Sequence, residues 1–399
     1  MAWQFTSRFR RHAFGWRSDL PIKRIKEALK ELKQAARQDP VDAADGAVKL
    51  IERLSPALER VDSSSGALGS ALYKAISELT TLIIKAKVPE SVRQKWMERL
   101  WKALQEDEMP YIECLADYWG ELCVTSELAS SWADRFLPIV QQAWSSSDRS
   151  SYTLEITPCL SSMLSAGRYI EIVELLKQAP FAWWDYRRWG VKALCSLGQH
   201  KEAIEYAQSN MGINDPKTEI AVACEAILLE LGQLDEAYAQ YAFEANQKTT
   251  NLATFRAIVK KYPHKPVKAI LCDLASLEPG SEGKWFAAAK SVEEFDLAVS
   301  WIRQSPADPK TLSRAARDYA VKQPEFALEA GLAALHWISR GYGYEITGAD
   351  VLEAYKALMN AGEAAGLEDG SVKNQILELM SRLKSNDQFV MKVLSPYLT

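Results

Sequence analysis

The residues best spaced for chemistry lie in a run of acids. Glu106-Asp107-Glu108 leads to Glu113, Asp117 and Glu121, the last three four residues apart. On an α-helix that spacing lines carboxylates along one face, an arrangement that suits a divalent cation or general acid–base work. A carboxylate metal site also draws ligands from a second element, often histidines, and no paired Glu-x-x-His exists. The expected role is therefore a solvated face or a dock for basic groups. The six cysteines, at 114, 123, 159, 195, 224 and 272, form no CxxC, and His12, His200, His264 and His336 belong to no HExxH. Buried thiols in a reducing compartment are the expectation. Asp62-Ser63-Ser64-Ser65-Gly66 lacks the lysine of a phosphate-binding loop and reads as a helix cap. No catalytic residue, metal ligand or cofactor is expected, and the chain reads as not an enzyme.

Binding chemistry is better represented. The net charge of −4 hides a polarity: residues 1–37 carry +7 and the remaining 362 carry −11. Much of the acid lies in 98–134, a local −7. The first seventeen residues interleave Trp3, Phe5, Phe9, Phe14 and Trp16 with Arg8, Arg10, Arg11 and Arg17. Guanidinium groups fork onto phosphates and aromatic rings stack bases, so this arm suits nucleic acid. It equally suits an acidic partner or the chain's own acidic region, and a mitochondrial presequence is a further reading.

The elements that position these groups are helices. The chain has 399 residues, 48% hydrophobic and 25% charged, with only 19 Gly and 16 Pro. Ile22, Ile25, Leu29, Leu32 and Ala36 repeat at helical spacing after Pro21, and Asp39-Pro40 stops that helix. Further helices are expected over 43–54, 67–86, 92–106, 113–121 and 127–144. No sustained period-two pattern predicts a sheet. The most apolar stretch, Ile220–Leu231, is interrupted by Glu225 and Glu230, so no membrane span is expected. The Ser-rich segment Ser145–Ser151 is the preferred boundary. Residues 1–40 are then an arm and first helix, 41–144 an N-terminal helical region, 151–265 a repeat region and 266–399 C-terminal repeats with a cap at Asp387–Leu398.

The repeat region carries a periodic signal. Gly167, Gly198 and Gly232 each open a similar segment, 31 and then 34 residues apart, with Ala203 and Ala237 five residues after their glycines. This resembles tetratricopeptide repeats (TPR), most clearly at the turn and second helix. The resemblance implies an all-α, right-handed α-solenoid of antiparallel helix pairs that binds peptides in a concave groove. A second resemblance, from Arg8-Phe9-Arg10-Arg11 through Trp184-Asp185-Tyr186-Arg187-Arg188-Trp189 and Gly283-Lys284-Trp285-Phe286 to Gly341-Tyr342-Gly343-Tyr344, is to an uncharacterised bacterial all-helical family. It implies a bacterial, cytoplasmic protein and no activity. The C-terminal region also resembles tails that follow SWIM zinc fingers, without the CxC and CxH ligands of that finger.

In such a solenoid the first helix of each pair faces the groove. That places Trp184, Tyr186, Arg187 and Arg188 as partner-binding residues, with Lys260, Lys261 and His264 at the rim. The same aromatics also suit an inter-helix core, and Gly341-Tyr342-Gly343-Tyr344 reads as a helix connection. The leading expectation is a non-catalytic scaffold for a protein or peptide partner. The alternative is nucleic-acid binding through Arg8, Arg10, Arg11, Trp16 and Arg17. Oligomeric state stays open.

Overall fold

The computed structural model describes residues 3–145, 152–209, 212, 214–381 and 388–398. Among these, every regular element is a helix. The chain divides into two compact units, Met1–Pro216 and Lys217–Thr399.

The first unit contains α1 (Phe5–Arg8), α2 (Asp19–Ala35), α3 (Pro40–Leu58), α4 (Ala67–Lys85), α5 (Glu90–Gln105), a 3-10 helix (Glu113–Tyr118), α6 (Trp119–Cys123), α7 (Ser126–Ser145), α8 (Ile156–Ser165), α9 (Tyr169–Leu176), α10 (Trp184–Ser196) and α11 (His200–Gln208). Asp39 caps α3 by accepting from Val41 and Asp42 N–H groups, each at 3.0 Å, with Pro40 in the first turn. Residues 146–151 of the expected boundary lie outside the described residues. The helices on either side, α7 and α8, pack on each other within this unit.

The apolar stripes read from the sequence form its core. Ile25, Leu29 and Leu32 of α2 meet Val48, Ile51 and Leu54 of α3 and Leu68, Leu72, Ile76 and Leu79 of α4, all buried. Trp119 sits 5.7 Å from Trp101 and 5.3 Å from Trp132, edge to face. Rings in this geometry fill space between helices, which accounts for several of the thirteen tryptophans. One helix among those described, α4, is long and apolar enough by composition to cross a membrane. It is longer than the apolar run at Ile220–Leu231 that the sequence singled out.

The second unit contains α12 (Lys217–Glu230), α13 (Leu234–Ala245), α14 (Asn251–Lys261), α15 (Val267–Ser276), a 3-10 helix (Glu282–Trp285), α16 (Phe286–Ser291), α17 (Phe295–Gln304), α18 (Pro309–Tyr319), α19 (Pro324–Ser339), α20 (Gly348–Ala364), α21 (Asp369–Ser381) and α22 (Gln388–Leu398). Asp387 of the expected cap lies outside the described residues.

The glycine turns are alike in detail. Gly167, Gly198 and Gly232 stand at φ +75°, +77° and +75° after α8, α10 and α12. In each, the following N–H bonds the carbonyl five residues back at 2.9 Å: Arg168 to Met163, Gln199 to Leu194 and Gln233 to Leu228. This left-handed closure satisfies the last helical carbonyls and lets the next helix return along the first. Ala203 and Ala237 on the returning helices are fully buried, which permits a close approach. The turn between α16 and α17 makes the same closure, Glu294 N–H to Ala289 O at 3.1 Å, but with Glu293 at φ +61° where the others have glycine.

Candidate partner-binding groove

A concave groove of about 480 Å³ runs between α2 and α4 in the first unit. Its floor is closed by buried Ile25 and Leu29 and half-buried Ala71. Lys26, Lys30, Lys33, Arg37 and Lys74 line it with cations, and Glu78 is its one acid. The α2 cations recur at intervals of four, three and four, so one helical face carries them, with Arg37 in the turn just beyond. The apolar stripe one position earlier, Ile25, Leu29, Leu32 and Ala36, turns inward and fixes that face outward. Lys33 Nζ pairs with Glu78 at 2.8 Å. Lys26, Lys30, Arg37 and Lys74 have no ion-pair partner among the described residues and are exposed. Four charges without an ion-pair partner among the described residues attract anions. The sequence counts these residues into the +7 segment, while the expected partner site lay around Trp184 to Arg188 and the alternative in the arm. The 4-3-4 spacing was the signal that would have found them.

The arm itself is folded onto the unit. Trp3, Phe5, Phe9 and Phe14 are buried, and Gly46 leaves space for Trp3, since a Cβ there would stand 2.6 Å from its ring. Arg8 pairs with Glu27 at 2.8 Å, while Arg11 at 3.5 Å and His12 at 3.0 Å share Glu59. Glu31 accepts the Gln4 N–H at 2.7 Å. The acids that receive the arm thus belong to α2 and to the end of α3, not to 98–134. Arg10, Trp16 and Arg17 stay exposed, Trp16 at 72%.

The cluster expected to face a groove on α10 is instead packed inside. Trp184, Tyr186 and Arg187 are 5%, 5% and 2% exposed. Arg187 Nη2 donates to Asp215 at 2.7 Å, and its Nη1 donates to the Ser209 carbonyl. A buried guanidinium requires such partners, because an unpaired charge in a low dielectric is costly. Arg188 is partly exposed and pairs with Asp117 at 2.5 Å. What remains at the surface is Trp183, half exposed and stacked 4.9 Å from Phe181.

The second-unit residues sort similarly. Lys261 donates to Glu225 at 2.6 Å, and that carboxylate, 1% exposed, also accepts from Asn246 at 2.7 Å and Tyr262 at 2.6 Å. Burial and the neighbouring carboxylate push the Tyr262 hydroxyl above its ordinary range, so it stays a donor. His264 lies 3.6 Å from Asp235, which pairs more closely with Lys265 at 2.6 Å. Lys260 is exposed on the last turn of α14.

The acidic run is not one helical face. Glu113–Tyr118 is a 3-10 helix, with three residues per turn, and only Trp119–Cys123 is α-helical. Asp117 is held by Arg188, Glu113 accepts from the Tyr152 hydroxyl at 3.3 Å, and Asp107 caps the Ile112 N–H at 2.8 Å. Among the described residues no group of three or more His, Cys, Asp or Glu is placed to hold a metal ion. At the start of α4 the cap residue is Gly66, at φ +71°, and the Ala67 N–H donates to Ser65 Oγ at 3.4 Å. Cys123, Cys159 and Cys224 are buried, Cys114 and Cys195 half-buried and Cys272 exposed, and none is in a disulfide. No protein-family model and no curated protein matches this sequence.

Proposed function

We propose that the protein is a non-catalytic helical-repeat scaffold that binds an acidic segment of a protein partner in the groove between α2 and α4. The observation that carries this reading is the gathering in one concavity of four cations with no ion-pair partner among the described residues. Ile25 and Leu29 are already buried beneath these cations, so the surface on offer is the charged row with half-buried Ala71 beside it, which a peptide helix can follow. The helix pairs are read as an α-solenoid of the TPR-like kind. Supporting this, the turns at Gly167, Gly198 and Gly232 repeat one geometry, and within the second unit α12 to α20 pack mainly on neighbours close in sequence.

The test is fluorescence anisotropy with a labelled amphipathic Glu-rich peptide. Binding at low salt that weakens steeply by ~0.5 M salt supports the reading, since exposed charge pairs are screened over about 10 Å at 0.1 M. No binding at low salt ends it. A second reading, nucleic-acid binding, rests on the exposed Trp16 between Arg10 and Arg17, a stacking ring flanked by cations. It requires single-stranded DNA or RNA to bind at low salt and to be lost when all three become alanine.

A further inference from the structure

We infer that Glu78 sets the charge pattern of the segment the groove accepts: an amphipathic helix with carboxylates facing Lys26, Lys30 and Arg37 and a neutral residue facing Lys33. This rests on the groove reading above and specifies its ligand.

The groove cations follow a helical repeat. Lys26, Lys30 and Lys33 rise along α2 over about 10 Å, at 1.5 Å per residue, and Arg37 follows in the turn after it. A ligand helix lying along them repeats its side chains at the same i, i+4, i+7, i+11 intervals. An extended strand repeats one face every ~6.6 Å and falls out of step with them.

The four positions are not electrostatically equal. Helices α2, α3 and α4 are joined by short connections and pack on one another, so α2 and α4 run in the same direction. The 2.8 Å Lys33–Glu78 pair fixes their register. One turn earlier, Lys30 on α2 comes level with Lys74 on α4, and the charge there is doubled. At the Lys33 level Glu78 cancels it. A ligand carboxylate at that level meets attraction from Lys33 and repulsion from Glu78 together, and gains nothing. Carboxylates facing Lys26, Lys30 with Lys74, and Arg37 gain fully. Glu78 thereby acts as a specificity-determining residue.

The experiment compares labelled helical peptides that share an apolar face. One carries glutamates at all four positions. Two others replace either the second or the third glutamate with glutamine, which covers both ligand directions. Affinities are measured at low salt for wild type, Glu78→Gln and Lys33→Gln, all checked for unchanged melting temperature. In wild type the better three-carboxylate peptide binds within about twofold of the four-carboxylate one. In Glu78→Gln the four-carboxylate peptide gains about threefold or more, the size of an exposed charge pair. In Lys33→Gln the three-carboxylate peptide binds more tightly than the four-carboxylate one, because Glu78 is left unpaired. A fourth carboxylate that improves binding equally in all three proteins overturns this inference and leaves the groove reading standing. Failure of every peptide to bind overturns both.

Discussion

Two runs of cations, Arg187-Arg188 on α10 and Lys26 to Arg37 along α2, look alike in sequence and end in opposite environments. Arg187 is buried beside Asp215, and Arg188 holds Asp117. The α2 lysines point away from the core, and among the described residues only Lys33 finds an acid. The difference lies in the apolar residues beside them. Around Arg187 stand Trp184, Tyr186 and Trp189, large rings that draw the helix into the interior on several sides. On α2 the apolar residues keep to one stripe, so the cations share the outer face. A cation in an aromatic-rich helix is thus spent on structure, and a cation beside a clean amphipathic stripe stays free to bind.

The largest expected effect comes from breaking the buried pair. Asp215→Ala leaves Arg187 uncompensated and removes the acceptor of the Gly212 N–H. A loss of about 3–5 kcal/mol in urea unfolding is expected. A loss below about 1 kcal/mol would mean that Arg187 reaches water and resembles the α2 lysines after all.

Next is Gly46→Ala, which sets a methyl group 2.6 Å from Trp3 and 2.7 Å from Leu32 beneath the arm. A destabilisation of about 1–3 kcal/mol is expected, with faster proteolysis within residues 3–16. Unchanged proteolysis would show that the arm is held by its ion pairs alone.

The turns offer a comparison of the same kind. Glu293→Gly relieves a left-handed conformation that glycine already occupies at Gly232, and should stabilise the protein by about 0.5–1 kcal/mol in thermal unfolding. Gly232→Ala should do the reverse.

Smaller still is a pH effect at His336, half-buried near Arg340, whose folded pKa lies below the ordinary histidine value, chiefly through burial. The unfolded chain therefore binds the proton more readily, so this group costs stability as pH falls below about 6.5 and costs nothing above it. Melting temperatures from pH 7.5 to 5.5 should fall less in a His336→Phe variant than in wild type.

Much of the architecture was legible in the sequence because helical stripes and glycine turns are local. Ile25 to Leu32, Leu68 to Leu79 and the turns at Gly198 and Gly232 needed no tertiary information. The acidic run failed as a helix because its backbone follows a contact far along the chain: Gly120 N–H donates to Ser161 at 3.0 Å, and no Cβ fits there. The site residues failed for a related reason. Whether Trp184 or Arg187 faces water depends on Asp215, Ser209 and the rings around them, which spacing does not reveal. The arm's role stayed open between nucleic acid, an acidic partner and the chain's own acidic region, because the acids that receive it, Glu27, Glu31 and Glu59, lie in the helices it folds against and not in 98–134.

The most direct measurement is peptide affinity after charge reversal in the two basic regions. Lys26→Glu, Lys30→Glu and Lys74→Glu together should leave the melting temperature nearly unchanged, since each is an exposed surface change. They should weaken binding of an acidic amphipathic peptide at least ~30-fold, about 2 kcal/mol. Arg10→Glu with Arg17→Glu should alter it less than about threefold. The reverse ranking, or a triple variant that binds as wild type does, would contradict the assignment of partner binding to the groove between α2 and α4.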